Sequence, residues 1–247
     1  MPDVAGYRAK VGTLIPSTNT LVEADFWSMA IPGVTFHAGR MYIPQPSLDS
    51  DDAFLQLLDS VDLALETALR DVTTCLPDYM AMGMSAPTFW GGLEGSNAFE
   101  KRMADACGIP MSTGSESCRA ALAAYGAQRI AVLTPYQPVM REQIVRYFED
   151  CGFTVVRYKD LGCESATAIA QVTESELKTV INELNGPDVD AVVQCGTNLS
   201  MVRLAANAEV ALNKPIIAIN TAIVWHAYRA MGFKEQLFGF GRLLSEF

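Results

Sequence analysis

RIAVLTPYQ, residues 129–137, repeats the pattern of KVGTLIPST, residues 10–18: a short run rich in aliphatic residues, then a proline, then polar residues. Short apolar runs bounded by turn residues read as buried parallel strands. Two more pairs follow in the same order. DYMAMG at 78–83 lies over DAVVQC at 190–195, and IPMSTGS at 109–115 lies over KPIIAIN at 214–220. Each match is weak alone, but their common order marks an internal repeat and hence two similar lobes.

Working outward from these pairs, strands are expected at 10–15, 34–41, 79–82, 109–111, 129–133, 154–158, 191–194 and 215–219. Between them, residues 53–72 carry Phe54, Leu57, Leu58, Val61, Leu65, Leu69 and Val72 at spacings of three and four, which predicts an amphipathic helix. Residues 139–151 read the same way. Regular alternation of strand and helix predicts an α/β fold of two pseudo-symmetric lobes. Each lobe is a parallel four-stranded sheet flanked by helices, and the active site lies in the cleft between them, in loops at the carboxyl ends of strands. The boundary falls near 115–125. It divides the chain into an N-terminal lobe, 1–118, and a C-terminal lobe, 119–229, with the tail 230–247 packing back on the first.

Composition narrows the function. The 28 acidic and 18 basic residues give a net charge of −10, which argues against nucleic acid, because phosphate binding rests on clustered Lys and Arg. No apolar run reaches the roughly 18 to 20 residues of a membrane span, and MPDVAGYRAK lacks a signal-peptide core, so the chain is expected to be cytoplasmic. Six cysteines, at 75, 107, 118, 151, 163 and 195, form no CxxC and no metal spacing, so no metal site is expected and the thiols are expected to be free. No GxGxxG follows a strand and there is no P-loop, so no cofactor is expected. Self-association into a homo-oligomer is left open.

Chemistry is sought in the loops. AVVQCGTNLSM, residues 191–201, puts Cys195 just past a buried strand and follows it with Gly196, Thr197 and Asn198, a turn that exposes backbone N–H groups. Such donors beside a thiol suit proton transfer or carboxylate binding; a plain core cysteine is the alternative. The matching loop of the first lobe, GMSAPTFWGG at 83–92, offers Gly83, Met84, Ser85 and Thr88, with Phe89 and Trp90 as expected apolar walls. Ser17 and Asn19 in IPSTNT, and Tyr136 after the fifth strand, add uncharged donors, although Ser/Thr/Asn clusters are also ordinary helix starts. His37 falls in an expected strand and His226 in a late helix beside Trp225, so a Cys–His pair is not expected, and Glu23 and Asp25 read as a solvated helix start rather than a general base.

Taken together, IPSTNT (15–20), GMSAPTFWGG (83–92), LTPY (133–136), LGCESATAIA (161–170), QCGTNL (194–199), INTAIVW (219–225) and the late FGFGRLL resemble the cofactor-independent aspartate/glutamate racemase superfamily, in its arylmalonate decarboxylase and maleate isomerase branch. Racemases and maleate isomerases of that kind use two cysteines, one from each lobe. Here Gly83 stands at the first position and only Cys195 remains, the decarboxylase pattern. The resemblance implies that Cys195 protonates an enediolate left by departing CO2, with Ser85, Tyr136 and the Gly196 backbone in the oxyanion site. Met84 departs from it, since the decarboxylases carry a hydroxyl residue there. Asn19 and the run of Thr197, Asn198 and Leu199 look more like maleate isomerases, whose first-loop asparagine binds a substrate carboxylate. The implied function is decarboxylation of a malonate-type acid. The alternatives are isomerisation or racemisation by Cys195 alone, and a non-catalytic small-acid binding protein.

Overall fold

The computed structural model describes residues 3–44, 48 and 50–247. Strands β1 (Ala9–Pro16), β2 (Val34–Met41), β3 (Tyr79–Met82) and β4 (Met111–Ser112) form one sheet, and β5 (Arg129–Thr134), β6 (Thr154–Asp160), β7 (Ala191–Gln194) and β8 (Ile216–Ala218) form a second. Their orders, β2-β1-β3-β4 and β6-β5-β7-β8, are the same under the internal repeat, and every pairing is parallel. Burial explains which strands the sequence reveals most plainly. The inner β3 and β7 are buried at every residue, whereas the edge strands β2 and β6 include exposed positions, as expected for strands covered on fewer sides. The eighth strand ends before the expected Ile219, which instead opens a helix.

The helices are α1 (Val22–Ser28), α2 (Asp51–Thr73), α3 (Ala86–Phe89), α4 (Gly92–Cys107), α5 (Gly114–Ala124), α6 (Val139–Asp150), α7 (Glu174–Leu184), α8 (Val202–Leu212), α9 (Ile219–Ala230) and α10 (Arg242–Glu246). The apolar stripe of α2 is buried as its spacing predicts, and Ser50 caps the helix by accepting the N–H of Ala53. Among the described residues, no helix is long and apolar enough to cross a membrane.

Helices α5 and α9 pack against each other between the lobes. Helix α9, which follows β8 of the second sheet, lies on β3 and β4 of the first, and α5, which follows β4, reaches β8. Residues 118 and 119 therefore sit in the middle of a helix, with no linker between the lobes. The tail touches both. Glu235 pairs with Arg8 and Phe233 lies under the Arg8 guanidinium, while α10 packs on α9 and the N–H of Arg242 donates to Glu209.

In each order the connections run outward in opposite directions from the central pair, so the topological switch points lie between β1 and β3 and between β5 and β7. Loops at the carboxyl ends of those four strands are where a doubly wound sheet binds ligands. The opposite ends are tied by a repeated clamp. The Asp78 carboxylate accepts the Lys10 N–H (2.8 Å), and the Asp190 carboxylate accepts the Arg129 N–H (2.8 Å) and pairs with the Arg129 side chain.

The Arg129 guanidinium and N–H hold the Asp190 pKa down at about 2. Asp190→Ala should therefore cost about 1 kcal/mol of unfolding free energy in urea at about pH 7, a small figure because the group is partly exposed and screened by water. A depressed folded pKa gives stability above the unfolded value and loses it as pH falls through the folded one. The gap between the variant and the unmodified protein should close from about pH 4 toward pH 2; a constant gap would contradict the clamp.

Candidate active site

Four loops meet at the switch points. After β7, the Cys195 N–H donates to Leu133 O (2.9 Å), and residues 196–199 turn with the Leu199 N–H on Gly196 O (3.2 Å). Glycine is required at 196 by close approach, since a Cβ there would lie 2.4 Å from Pro135 Cδ. After β3, the Gly83 N–H donates to Leu14 O (2.8 Å), and a Cβ on Gly83 would stand 2.9 Å from that same oxygen. Ser85 and Tyr136 share a hydrogen bond between their hydroxyls, which joins the loops after β3 and β5.

Side chains from one lobe bind the other. Thr197 Oγ1 donates to Gly83 O (2.9 Å), Asn19 Nδ2 reaches Thr197 Oγ1 (3.5 Å), and the Thr20 N–H donates to Asn198 Oδ1 (3.1 Å). Asn19 also closes the turn that leads into α1, its Oδ1 accepting the N–H groups of Leu21 and Val22 (2.9 and 3.0 Å), which leaves only its NH2 group for a ligand. The guanidinium of Arg40 holds this first loop from outside through the carbonyls of Ser17 and Asn19 (both 3.0 Å). Among the described residues the backbone N–H groups of Gly196, Thr197 and Asn198 have no protein acceptor.

The loops enclose a cavity of about 60 Å³. Its polar side carries Thr18, Asn19, Ser85, Tyr136, Gly196, Thr197 and Asn198. Its apolar side is Ile43, Leu48, Phe54, Leu57, Met84 and Ile169. No charged residue lines it among those described. The apolar roof is fastened to the second lobe, since the Leu48 N–H donates to Glu164 O (2.7 Å) and the Leu48 carbonyl accepts from Gln137.

Burial keeps the site's acids neutral. It pushes the Cys195 thiol well above its ordinary pKa, and the neighbouring Cys118 thiol adds to that. Burial likewise raises Tyr136 against the opposing pull of Ser85, and raises Tyr158, which faces Thr134 Oγ1 (3.3 Å). At neutral pH these groups are proton donors. The arrangement can bind an anion through uncharged donors and offer it a proton.

The family profile described as arylmalonate decarboxylase matches residues 11–244. The chain belongs to the arylmalonate decarboxylase family. It is 27% identical to a maleate isomerase of Pseudomonas putida, over 96% of this chain and 97% of that one. It is 25% identical to an arylmalonate decarboxylase of Bordetella bronchiseptica, over 96% of each. Its fold matches Nocardia farcinica maleate cis-trans isomerase bound to TRIS with a TM-score of 0.87, at 22% identity, over 96% of this chain and 98% of that structure. These relatives are a lyase and isomerases, the two reaction classes that the sequence motifs imply.

Of the residues singled out in the sequence of this family member, Asn19, Met84, Ser85, Tyr136, Gly196, Thr197 and Asn198 come together around the cavity. Gly83 and Cys195 sit immediately behind that lining, at the ends of β3 and β7. Ser17 does not reach it. Its hydroxyl accepts the Ile43 N–H (2.9 Å) and braces the segment after β2. Phe89 is not a wall either. It is packed between Tyr147 and Phe148, with ring centroids 5.2 and 5.8 Å away, and Trp90 faces a separate surface groove. The walls come from α2 and the segment before it, whose register places Phe54 and Leu57 over the site, a fact that helical periodicity alone does not show. His226 contacts Ser112 and Ser117, and His37 contacts Thr35. Asp25 is not a freely solvated helix-start acid. It accepts the Asn220 amide (2.7 Å), and burial raises its pKa to about 6.

A buried, protonated thiol reacts slowly with electrophiles. Iodoacetamide at about pH 7 should therefore alkylate the half-buried Cys75 and Cys107 before Cys195, as read by peptide mass mapping. Preferential labelling of Cys195 would mean that its thiolate is populated.

Proposed function

We propose that this protein is a cofactor-independent decarboxylase of a small malonate-type acid, with Cys195 as its proton donor. The observation that carries this reading is at Gly83. The position matching Cys195 in the other lobe has no thiol, and little space for one, because a Cβ would lie 2.9 Å from Leu14 O and 3.0 Å from the side chains of Ile15 and Val22. Racemisation by two bases needs acid–base groups on both faces of the substrate, whereas decarboxylation followed by one protonation needs a single donor. A thiol held neutral by burial suits the second task.

In this mechanism the C–C bond to one carboxylate breaks, its electron pair stays on the substrate, and CO2 leaves an enediolate. The Cys195 S–H proton goes to the α-carbon, and the thiolate recovers a proton from solvent. The developing charge falls on the unpaired N–H groups of 196–198, the Ser85 and Tyr136 hydroxyls and the Asn19 NH2 group. The opposite side of Ile43, Leu48, Phe54, Leu57 and Ile169 favours neutral CO2 over a carboxylate.

A second reading is maleate isomerisation by Cys195 alone. It is favoured by Asn19 on the cavity wall and by the likeness to maleate isomerases.

Malonate, methylmalonate, phenylmalonate and maleate, each incubated in heavy water without added cofactor, separate the readings by NMR. Malonates should yield α-deuterated monocarboxylates, and Cys195→Ala should lower the rate by roughly 10² to 10⁴. Fumarate from maleate with no turnover of malonates would establish the second reading instead. Absence of both turnover and exchange would leave a binding protein. Gly83→Ala should cost about 1 to 3 kcal/mol of stability through overpacking alone, and a neutral effect would undo the steric argument at that position.

A further inference from the structure

The loop of residues 196–198 lines the cavity, and what holds it from behind is a pair of residues that do not. Asn220, the second residue of α9 and 2% exposed, donates from Nδ2 to Asp25 Oδ2 (2.7 Å) and from the same nitrogen to Thr197 O (2.9 Å). Its Oδ1 is buried with no partner among the described residues, so the amide is oriented by its donors, at the expense of its own acceptor. Asp25 comes from α1 of the first lobe, Asn220 from the helix that crosses between the lobes, and Thr197 from the loop after β7. Arg203 of α8 lies close enough to draw the Asp25 charge toward its ionised form.

A trans peptide is planar, with C=O and N–H on opposite sides. Fixing the Thr197 carbonyl against Asn220 therefore points the Asn198 N–H away from α9, and that N–H is among those with no protein acceptor. We propose that Asp25 and Asn220 are a positioning pair that grips the Thr197 carbonyl and so aims the backbone N–H groups of the 196–198 turn at the acid bound in the cavity. The proposal rests on the reading of that cavity as a carboxylic-acid site. Neither residue touches substrate. Their effect passes through the Thr197–Asn198 peptide, so it acts on how tightly and in what orientation the acid is held.

The test combines malonate titration by NMR, steady-state kinetics on the acid turned over, and thermal unfolding of the full chain. Asp25→Ala and Asn220→Ala should each raise the malonate Kd and the KM by about tenfold, the scale of a lost hydrogen bond to a charged group. Asp25→Asn keeps an oxygen that can accept the Asn220 amide and should stay within about threefold of the unmodified protein. The double variant should be no worse than the weaker single one, because the residues act as a unit. A purely structural role would lower the unfolding midpoint and leave Kd and KM unchanged in the folded fraction, which would overturn the proposal. An Asp25→Asn variant as impaired as Asp25→Ala would overturn it too. Should Asn220→Ala fail to fold, the half-buried Asp25 pair of variants carries the test alone. Failure of the unmodified protein to bind or turn over any of the acids would remove the functional reading and this inference together. Unchanged binding in the variants, beside clear binding in the unmodified protein, would remove the inference only.

Discussion

One hydrogen bond, from Thr197 Oγ1 to the carbonyl of Gly83, joins the two strand ends around which the site is built. Among the described residues the two sheets share no hydrogen-bonded ladder, so their relative register is set by loops and helices. A bond of this kind contributes only about 1 kcal/mol net. It settles alignment, while the packing of α5 against α9 and the apolar cores of both lobes supply the stability. With Asn19, Thr20 and Asn198 it forms a seam along the floor of the cleft. Loosening that seam would leave two intact sheets and a site whose donors no longer converge.

The strands were legible because a parallel strand buried on both faces writes itself as an unbroken apolar run, and because the run recurs at matched positions. The repeat therefore reveals both sheets and the loops at their carboxyl ends. It says nothing of contacts that cross from one copy to the other. Ser17 and Asn19 are two residues apart in one polar cluster, yet one braces Ile43 and the other faces the cavity. Phe89 and Trp90 have the composition of a pocket wall but point into a helix interface and a surface groove. Cys118 is in the sequence only one of six free thiols, and its place beside Cys195 depends on α5 lying across both lobes. Asp25 looks like any acid in a first helical turn until Asn220, far along the chain, arrives beside it.

On the proposed function the cavity would meet a charged ligand without a cation among its described lining. In a protein carrying a net charge of −10, the anion would be met by dipoles alone: backbone N–H groups, two hydroxyls and an amide. Fixed dipoles in a water-poor pocket do not need to reorganise as charge shifts during a reaction, and unlike a lysine they do not overstabilise the bound acid before it reacts. On that reading, specificity would come from the shape and apolar character of the opposite wall, where one added charge would have no partner.

The crossing of α5 and α9 has a consequence for how the chain is made. The face formed by β3 and β4 is covered by residues 219–230, which follow the last strand of the second sheet. During synthesis the first lobe can form its ladders early, but part of its apolar surface stays bare until almost the whole second lobe has emerged. Folding must then close contacts of very long sequence separation, a slow step that leaves surface open to aggregation. The two lobes therefore cannot mature one after the other as beads on a string, because α9 completes the first sheet only after β8 has been made.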